Sequence, residues 1–163
     1  MKINKIYLGL GSNLGNREEN LHIAQRFIVE KFGTIILLSS IYETAAWGFT
    51  EQHSFLNQVI CIETKFPPIQ VLQIVLEIEK SMGRIREQKW GARIIDIDIL
   101  YYANKIVSLP DLVIPHPFIQ ERRFILVPLC EIAGGFIHPK FKQTNLELLG
   151  KCQDSGEINL FHK

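Results

Sequence analysis

The stretch Arg93-Ile94-Ile95-Asp96-Ile97-Asp98-Ile99-Leu100-Tyr101 sets two carboxylates into an aliphatic run. Isoleucine-rich segments of this kind form strands. A strand turns successive side chains to opposite faces, so Asp96 and Asp98 share one face and Ile95, Ile97 and Ile99 the other. One face packs and the other carries charge. Reading this stretch as a strand completes a recognisable order of elements.

Upstream, residues 3–10 read as a strand. Asn16-Arg17-Glu18-Glu19 opens a helix, with Asn16 as cap and acids in the first turn. Leu21, Ala24, Ile28 and Phe32 continue at helical spacing, and Gly33 is the stop. Residues 35–42 read as a strand, apolar enough at first to be buried. A loop over 43–53 precedes an alternating strand over 55–66. Pro67-Pro68 begins a second helix, whose stripe is Val71, Val75, Ile78 and Met82 and whose stop is Gly83. A basic loop, 84–92, leads into the acidic strand. The order is strand, helix, strand, strand, helix, strand, the βαββαβ pattern of a ferredoxin-like core. The fold class is therefore α+β, with a largely antiparallel sheet and both helices on one face. Its other face is either covered by C-terminal helices or open as a site. Beyond the core, Asn104-Lys105 suggests a turn into Ile106-Val107. The corner Ile114-Pro115-His116-Pro117 leads to a helical stretch over 120–127, with Pro128 beginning a further turn. Thr144-Asn145-Leu146-Glu147 has the spacing of a capping box.

The chain has 163 residues, 47% hydrophobic and 21% charged, with a formal charge of +1. That length and balance suit one globular domain spanning 1–163. Near-neutral charge gives no reason to expect a nucleic acid or an anionic membrane as partner. No apolar run approaches the roughly 20 residues of a membrane span, and Met1–Gly9 enters a strand pattern at once rather than a signal-peptide core. Cys61, Cys130 and Cys152 are widely spaced and odd in number, which suits reduced thiols in the cytoplasm. Length and charge are compatible with a monomer.

Two carboxylates on one strand face stand roughly 6.5–7 Å apart. Their repulsion is about 2.5 kcal/mol at an effective dielectric near 20, and about 0.6 kcal/mol in open water. On a partly closed face a cation or several donors must offset it. Hard oxygen ligands favour Mg²⁺, which keeps several waters and shares its other positions with substrate phosphates. The loop before the strand carries Arg84, Arg86, Lys89 and Trp90, followed by Arg93, a set suited to phosphate oxygens. A solvated acidic edge beside a basic surface turn is the plainer alternative. Gly9-Leu10-Gly11-Ser12-Asn13-Leu14-Gly15 fails the dinucleotide fingerprint because Leu14 stands at a required glycine, and no G-x-x-x-x-G-K-[ST] occurs. ATP, if bound, is bound without a P-loop.

On the 55–66 strand, Phe55 and Asn57 share a face. A ring beside a carboxamide suits a flat heterocycle, although a core Phe and a strand-start Asn fit as well. Phe124 offers a second stacking face or simply packs a helix. Glu79 flanks the apolar stripe of the second helix, where a surface acid is the ordinary reading. His116 sits on a proline-stiffened backbone and suits a phosphate contact or a structural role.

Together these segments resemble the 6-hydroxymethyl-7,8-dihydropterin pyrophosphokinase family of folate biosynthesis. The resemblance runs from Tyr7–Gly15 through Ser40-Ile41-Tyr42-Glu43-Thr44, Phe55-Leu56-Asn57 and Gly83-Arg84-Ile85-Arg86. It continues through Trp90-Gly91-Ala92-Arg93-Ile94-Ile95-Asp96-Ile97-Asp98, Ile114-Pro115-His116-Pro117 and Glu121-Arg122-Arg123-Phe124. It implies transfer of the terminal diphosphate of ATP to the pterin hydroxymethyl group, with release of AMP and use of two Mg²⁺ ions held by Asp96 and Asp98. Asp96 would also face the hydroxymethyl group. The resemblance implies Thr44, Ala45, Ala46, Trp47, Phe55, Asn57, Trp90 and Phe124 as pterin-binding residues. It implies Glu79, Arg84, Arg86, Trp90, Arg93, Ile99, His116 and Arg122 around ATP, with Arg84 and Arg93 serving catalysis. A magnesium-dependent phosphohydrolase using the same acids, and a non-enzymatic ferredoxin-like binding module, are the alternatives.

Overall fold

β1 (Asn4–Ser12) is the strand around which the rest is arranged in the computed structural model, which describes residues 2–45, 53–83 and 93–162. It pairs antiparallel with β4 (Phe55–Thr64) on one side and with β5 (Asp96–Tyr102) on the other. β3 (Tyr42–Thr44) pairs with β4 on the side away from β1, giving the order β5-β1-β4-β3-β8, in which β8 is Ile158–Leu160. β2 (Ile35–Leu38) also pairs with β4, beyond β3.

The first apolar face of this sheet takes α1 (Arg17–Phe32) and α2 (Pro68–Ser81). Leu21, Ala24 and Ile28 of α1 and Val71, Val75 and Ile78 of α2 pack on Leu8, Leu10, Ile60 and Ile97. The helix ends follow local chemistry. Asn16 Oδ1 accepts the Glu19 N–H at 3.1 Å, satisfying an end donor of α1. Gly33 and Gly83 turn the chain away with φ of 102° and 86°, a region costly for other residues.

The second face is divided. One half is covered by α3 (Arg123–Ala133) and α4 (Asn145–Lys151), which bury Ile125, Leu126, Leu129 and Leu148 against Tyr7, Val59 and Cys61. The other half is open and forms the site. A short hairpin, β6 (Val107–Leu109) with β7 (Leu112–Ile114), and a 3-10 turn at Ile119–Glu121 lead into α3.

Several elements differ from the sequence reading. Residues 35–42 do not form one buried strand. Ser39 Oγ accepts the Val59 N–H at 2.9 Å, putting a side-chain oxygen where a strand would present its carbonyl. The chain breaks there into β2 and β3, and Ile36, Leu37 and Leu38 stand exposed at the sheet edge. Pro128 lies inside α3 rather than starting a new turn. Proline deprives the Phe124 carbonyl of its helical donor, at a cost of about 3 kcal/mol, and burial of Pro128 among its apolar neighbours in α3 offsets that cost. Within β5 the register slips between Tyr7↔Tyr101 and Leu8↔Ile99, so Leu100 and Tyr101 both turn to the second face. The cysteines are unpaired, with Cys61 buried. Thr144 and Glu147 form the expected capping box of α4.

His138, beside α4, gives the fold an acid sensitivity. Its Nδ1 accepts the N–H groups of Lys140 and Phe141 at 3.1 and 3.2 Å, and its ring stacks on Phe141. Burial, with Lys140 adding, pushes its pKa down from 6.5 to about 4. Below pH 6.5 the unfolded chain takes up a proton that the native ring refuses, so stability is lost as pH falls through that window. Urea unfolding from pH 7 to pH 4 is expected to lose up to about 3 kcal/mol more in the native chain than in His138→Gln. Parallel pH profiles for the two proteins would contradict it.

Candidate active site

The site is a cavity of about 320 Å³ on the open half of the sheet. Its floor is made by residues without side chains. Gly9 and Gly11 face it from β1, and the register places Gly11 between Asp96 and Asn57, and Gly9 between Asp98 and Val59. A Cβ on Gly11 would stand 3.3 Å from Asn57 Oδ1 and 3.6 Å from Phe55. With strands spaced about 4.8 Å apart, the two glycines leave a trough about 10 Å wide between the acids and the Phe55–Asn57 wall. Glycine in a strand interior marks such a close approach.

On the acidic wall, Asp96 and Asp98 are each half-buried. Arg93 Nη1 lies 3.2 Å from Asp96 Oδ2, with both side chains about one-fifth exposed, at 21% and 23%. Asn13, only 1% exposed, fixes Arg93 from both sides of its peptide. The Asn13 N–H donates to the Arg93 carbonyl at 3.0 Å, and the Arg93 N–H donates to Asn13 Oδ1 at 2.6 Å. Asn13 Nδ2 donates to the His53 carbonyl, so one side chain ties the starts of two walls together.

Glu79 is buried at 2% exposure, not a surface acid. β5 is an edge strand here, and its Ile97 N–H has no neighbouring strand to bond. Glu79 Oε2 accepts that N–H at 2.8 Å and so caps the edge between the two aspartates. Glu79→Ala is expected to destabilise the protein by about 1–3 kcal/mol. It should also speed hydrogen exchange at Ile97, and unchanged exchange there would contradict the capping role.

Beside the acidic strand the proline corner delivers His116. Its N–H bonds the Leu100 carbonyl at 2.9 Å, and its Nδ1 accepts the Phe118 N–H at 3.2 Å. Burial, with Arg122 adding, lowers its pKa to about 4, while Asp96 pulls the other way. The ring is therefore neutral at pH 7, with its proton on Nε2. That nitrogen lies 4.0 Å from Asp98 Oδ2, beyond hydrogen-bond reach, so it faces the cavity beside the acid as a donor. The Arg122 guanidinium lies over the Phe118 ring at 4.7 Å and the Phe124 ring at 5.7 Å, which orients a fixed cation at the rim. Across the trough, Asn57 Nδ2 donates to Thr44 Oγ1 at 2.8 Å.

The model of the family described as 7,8-dihydro-6-hydroxymethylpterin-pyrophosphokinase matches residues 7–134. The chain belongs to that family. A Methylorubrum extorquens 2-amino-4-hydroxy-6-hydroxymethyldihydropteridine pyrophosphokinase is 42% identical over 93% of this chain and 96% of its own. The pyrophosphokinase of the same name from Aquifex aeolicus is 41% identical over 85% of this chain and 86% of its own. A solved HPPK-DHPS chain from Plasmodium falciparum superposes with a TM-score of 0.75 at 18% identity, covering 92% of this chain. That likeness shows the fold, and this chain spans 42% of that longer one.

Of the positions that the pyrophosphokinase resemblance implies, the cavity brings together Thr44, Phe55, Asn57, Glu79, Arg93, Asp96, Asp98, His116, Arg122 and Phe124. Ala45 is exposed at the end of β3. Ala46, Trp47, Arg84, Arg86 and Trp90 lie outside the described residues. The Ile99 side chain is not at the cavity. It points to the opposite face, as its parity with Ile97 requires, and packs in the core beneath α1 and α2. Sequence reasoning missed Gly9 and Gly11, whose G-x-G spacing on a strand puts both on one face, and Asn13.

The donor set fits a magnesium ion shared with a nucleotide. Among the described residues no three His, Cys, Asp or Glu side chains gather to hold a metal. Two carboxylates in an open trough provide hard oxygens on one side only, and leave the remaining positions to water and phosphate oxygens, as Mg²⁺ favours. A closed protein cage would argue for a different ion.

Proposed function

We propose that this chain transfers the terminal diphosphate of ATP to the hydroxymethyl group of 6-hydroxymethyl-7,8-dihydropterin, releasing AMP, as a cytoplasmic enzyme of folate biosynthesis. The observation that carries the reading is the single glycine-floored trough, which sets two carboxylates about 10 Å from a buried carboxamide and an aromatic ring. Phosphate chemistry and heterocycle recognition thus share one cavity.

Phe55 and Phe124 supply ring faces for the pterin, and Asn57 reads its edge with donor and acceptor. Asp96 and Asp98 would hold two Mg²⁺ ions between them. When bound, the ions neutralise phosphate charge and lower the pKa of the attacking hydroxyl. Asp96 orients that hydroxyl. His116 donates its Nε2 proton to a phosphate oxygen, and Arg122 presents its stacked guanidinium to another. Arg93 completes the cationic side, to which the family resemblance adds Arg84 and Arg86. Such alignment and charge placement account for most of phosphoryl-transfer catalysis. Attack at the β-phosphorus follows from where the pterin wall holds the nucleophile.

The test is a product assay with ATP, Mg²⁺ and the hydroxymethyl-dihydropterin. AMP formed only when pterin is present is the expected result. Inorganic phosphate released without pterin would instead mark a phosphohydrolase, and no nucleotide turnover would mark a binding module.

A further inference from the structure

We infer that Arg93 is a built-in counter-ion to Asp96 that is in place before the metal arrives and competes with it. This rests on the reading of Asp96 and Asp98 as metal ligands.

The main chain of Arg93 is held in place. Asn13 holds both the N–H and the carbonyl of Arg93 at the mouth of β5, at 2.6 and 3.0 Å. With the backbone fixed, the guanidinium reaches three residues along and meets Asp96 Oδ2 at 3.2 Å. The two acids face the same trough and repel each other, and this cation offsets part of that repulsion without metal. A divalent ion taking Asp96 Oδ2 meets a guanidinium already 3.2 Å from that oxygen, so the two cations repel and each weakens the other's hold there. A guanidinium moved off Asp96 stays within a side-chain length of the same trough, where its planar fork suits phosphate oxygens. The exchange couples metal arrival to release of a phosphate-binding group.

The consequence runs against simple expectation. Removing a positive charge that serves the reaction should tighten metal binding in the absence of nucleotide. Both partners are partly exposed, which keeps the pair's worth modest. Mn²⁺ binding to nucleotide-free protein, followed by electron paramagnetic resonance of the free ion, is expected to be about two- to fivefold tighter in Arg93→Gln than in the native chain. Arg93→Lys keeps the charge and should leave the affinity near native. Asn13→Ala removes the side-chain half of that hold, leaving the Asn13 N–H bond to the Arg93 carbonyl, and should move the affinity part of the way toward Arg93→Gln. Circular dichroism establishes that each variant is folded. Unchanged or weaker Mn²⁺ binding in a folded Arg93→Gln, with binding by the native chain intact, overturns the inference. Failure of every variant and of the native chain to bind Mn²⁺, with or without a non-hydrolysable ATP analogue, overturns instead the metal reading beneath it.

Discussion

Replacing Asp96 with alanine is expected to lower turnover by about a thousandfold, while leaving pterin affinity within a few-fold of native. Asp96 sits on the trough wall beside Gly11, across from Asn57. In the proposed function it would contribute a hard oxygen for the metal and face the pterin hydroxymethyl group. Its loss removes charge neutralisation that develops as the phosphoryl group moves, which is a contribution to the transition state and not to ground-state binding. Phe55 and Phe124, to which we assign pterin stacking, line other walls of the cavity. Steady-state kinetics with a pterin titration by fluorescence separates the two. A variant with near-native turnover, or one that loses turnover only through a raised pterin KM, would contradict this role.

The second large effect lies on the facing wall. Asn57→Ala is expected to weaken pterin binding by about a hundredfold, with the affinity for a non-hydrolysable ATP analogue unchanged. Asn57 is buried, and its Nδ2 is already committed to Thr44 Oγ1 at 2.8 Å. That bond fixes the amide so that Oδ1 is turned towards Gly11 and the trough floor. A pre-oriented amide costs no rearrangement on binding, and its removal leaves polar atoms of the heterocycle unpaired in a closed place, which is the expensive outcome. Unchanged pterin affinity would show that the rings alone recognise the ligand.

Much of the scaffold could be read from local chemistry. Asn16 with Glu19, Pro67 before Pro68, and Thr144 with Glu147 are signals in which one or two residues decide a helix end. The parity of Asp96 and Asp98 was equally direct, since it needs only the two-residue period of a strand. The failures share a cause, because each depends on a partner distant in sequence. β2 looked buried because Ile35-Ile36-Leu37-Leu38 is apolar, but its place at the sheet edge is set by Ser39 bonding Val59. Pro128 forbids a helix locally, yet α3 continues through it because its apolar side packs on the sheet. β8 has three residues and no periodicity of its own, and exists through pairing with β3.

The site divides along the same line. Aspartates, arginines and aromatic residues announce themselves by type. Glu79 did not, because a glutamate on the flank of a helix is ordinarily solvated. Here its burial goes with the edge-strand Ile97 N–H that it accepts. Gly9 and Gly11 act by what they lack, and that is visible only when the neighbours on β4 and β5 are in register. Asn13 works through hydrogen bonds to His53 and Arg93, which lie 40 and 80 residues away.

The most direct measurement is calorimetric titration with a non-hydrolysable ATP analogue, in the presence and absence of Mg²⁺, on the native chain and on Asp98→Asn. Nucleotide binding should tighten strongly with Mg²⁺ in the native protein, and the magnesium dependence should be largely lost in the variant. Equal nucleotide affinity with and without Mg²⁺ in the native chain would contradict the assignment of the aspartates as cation anchors.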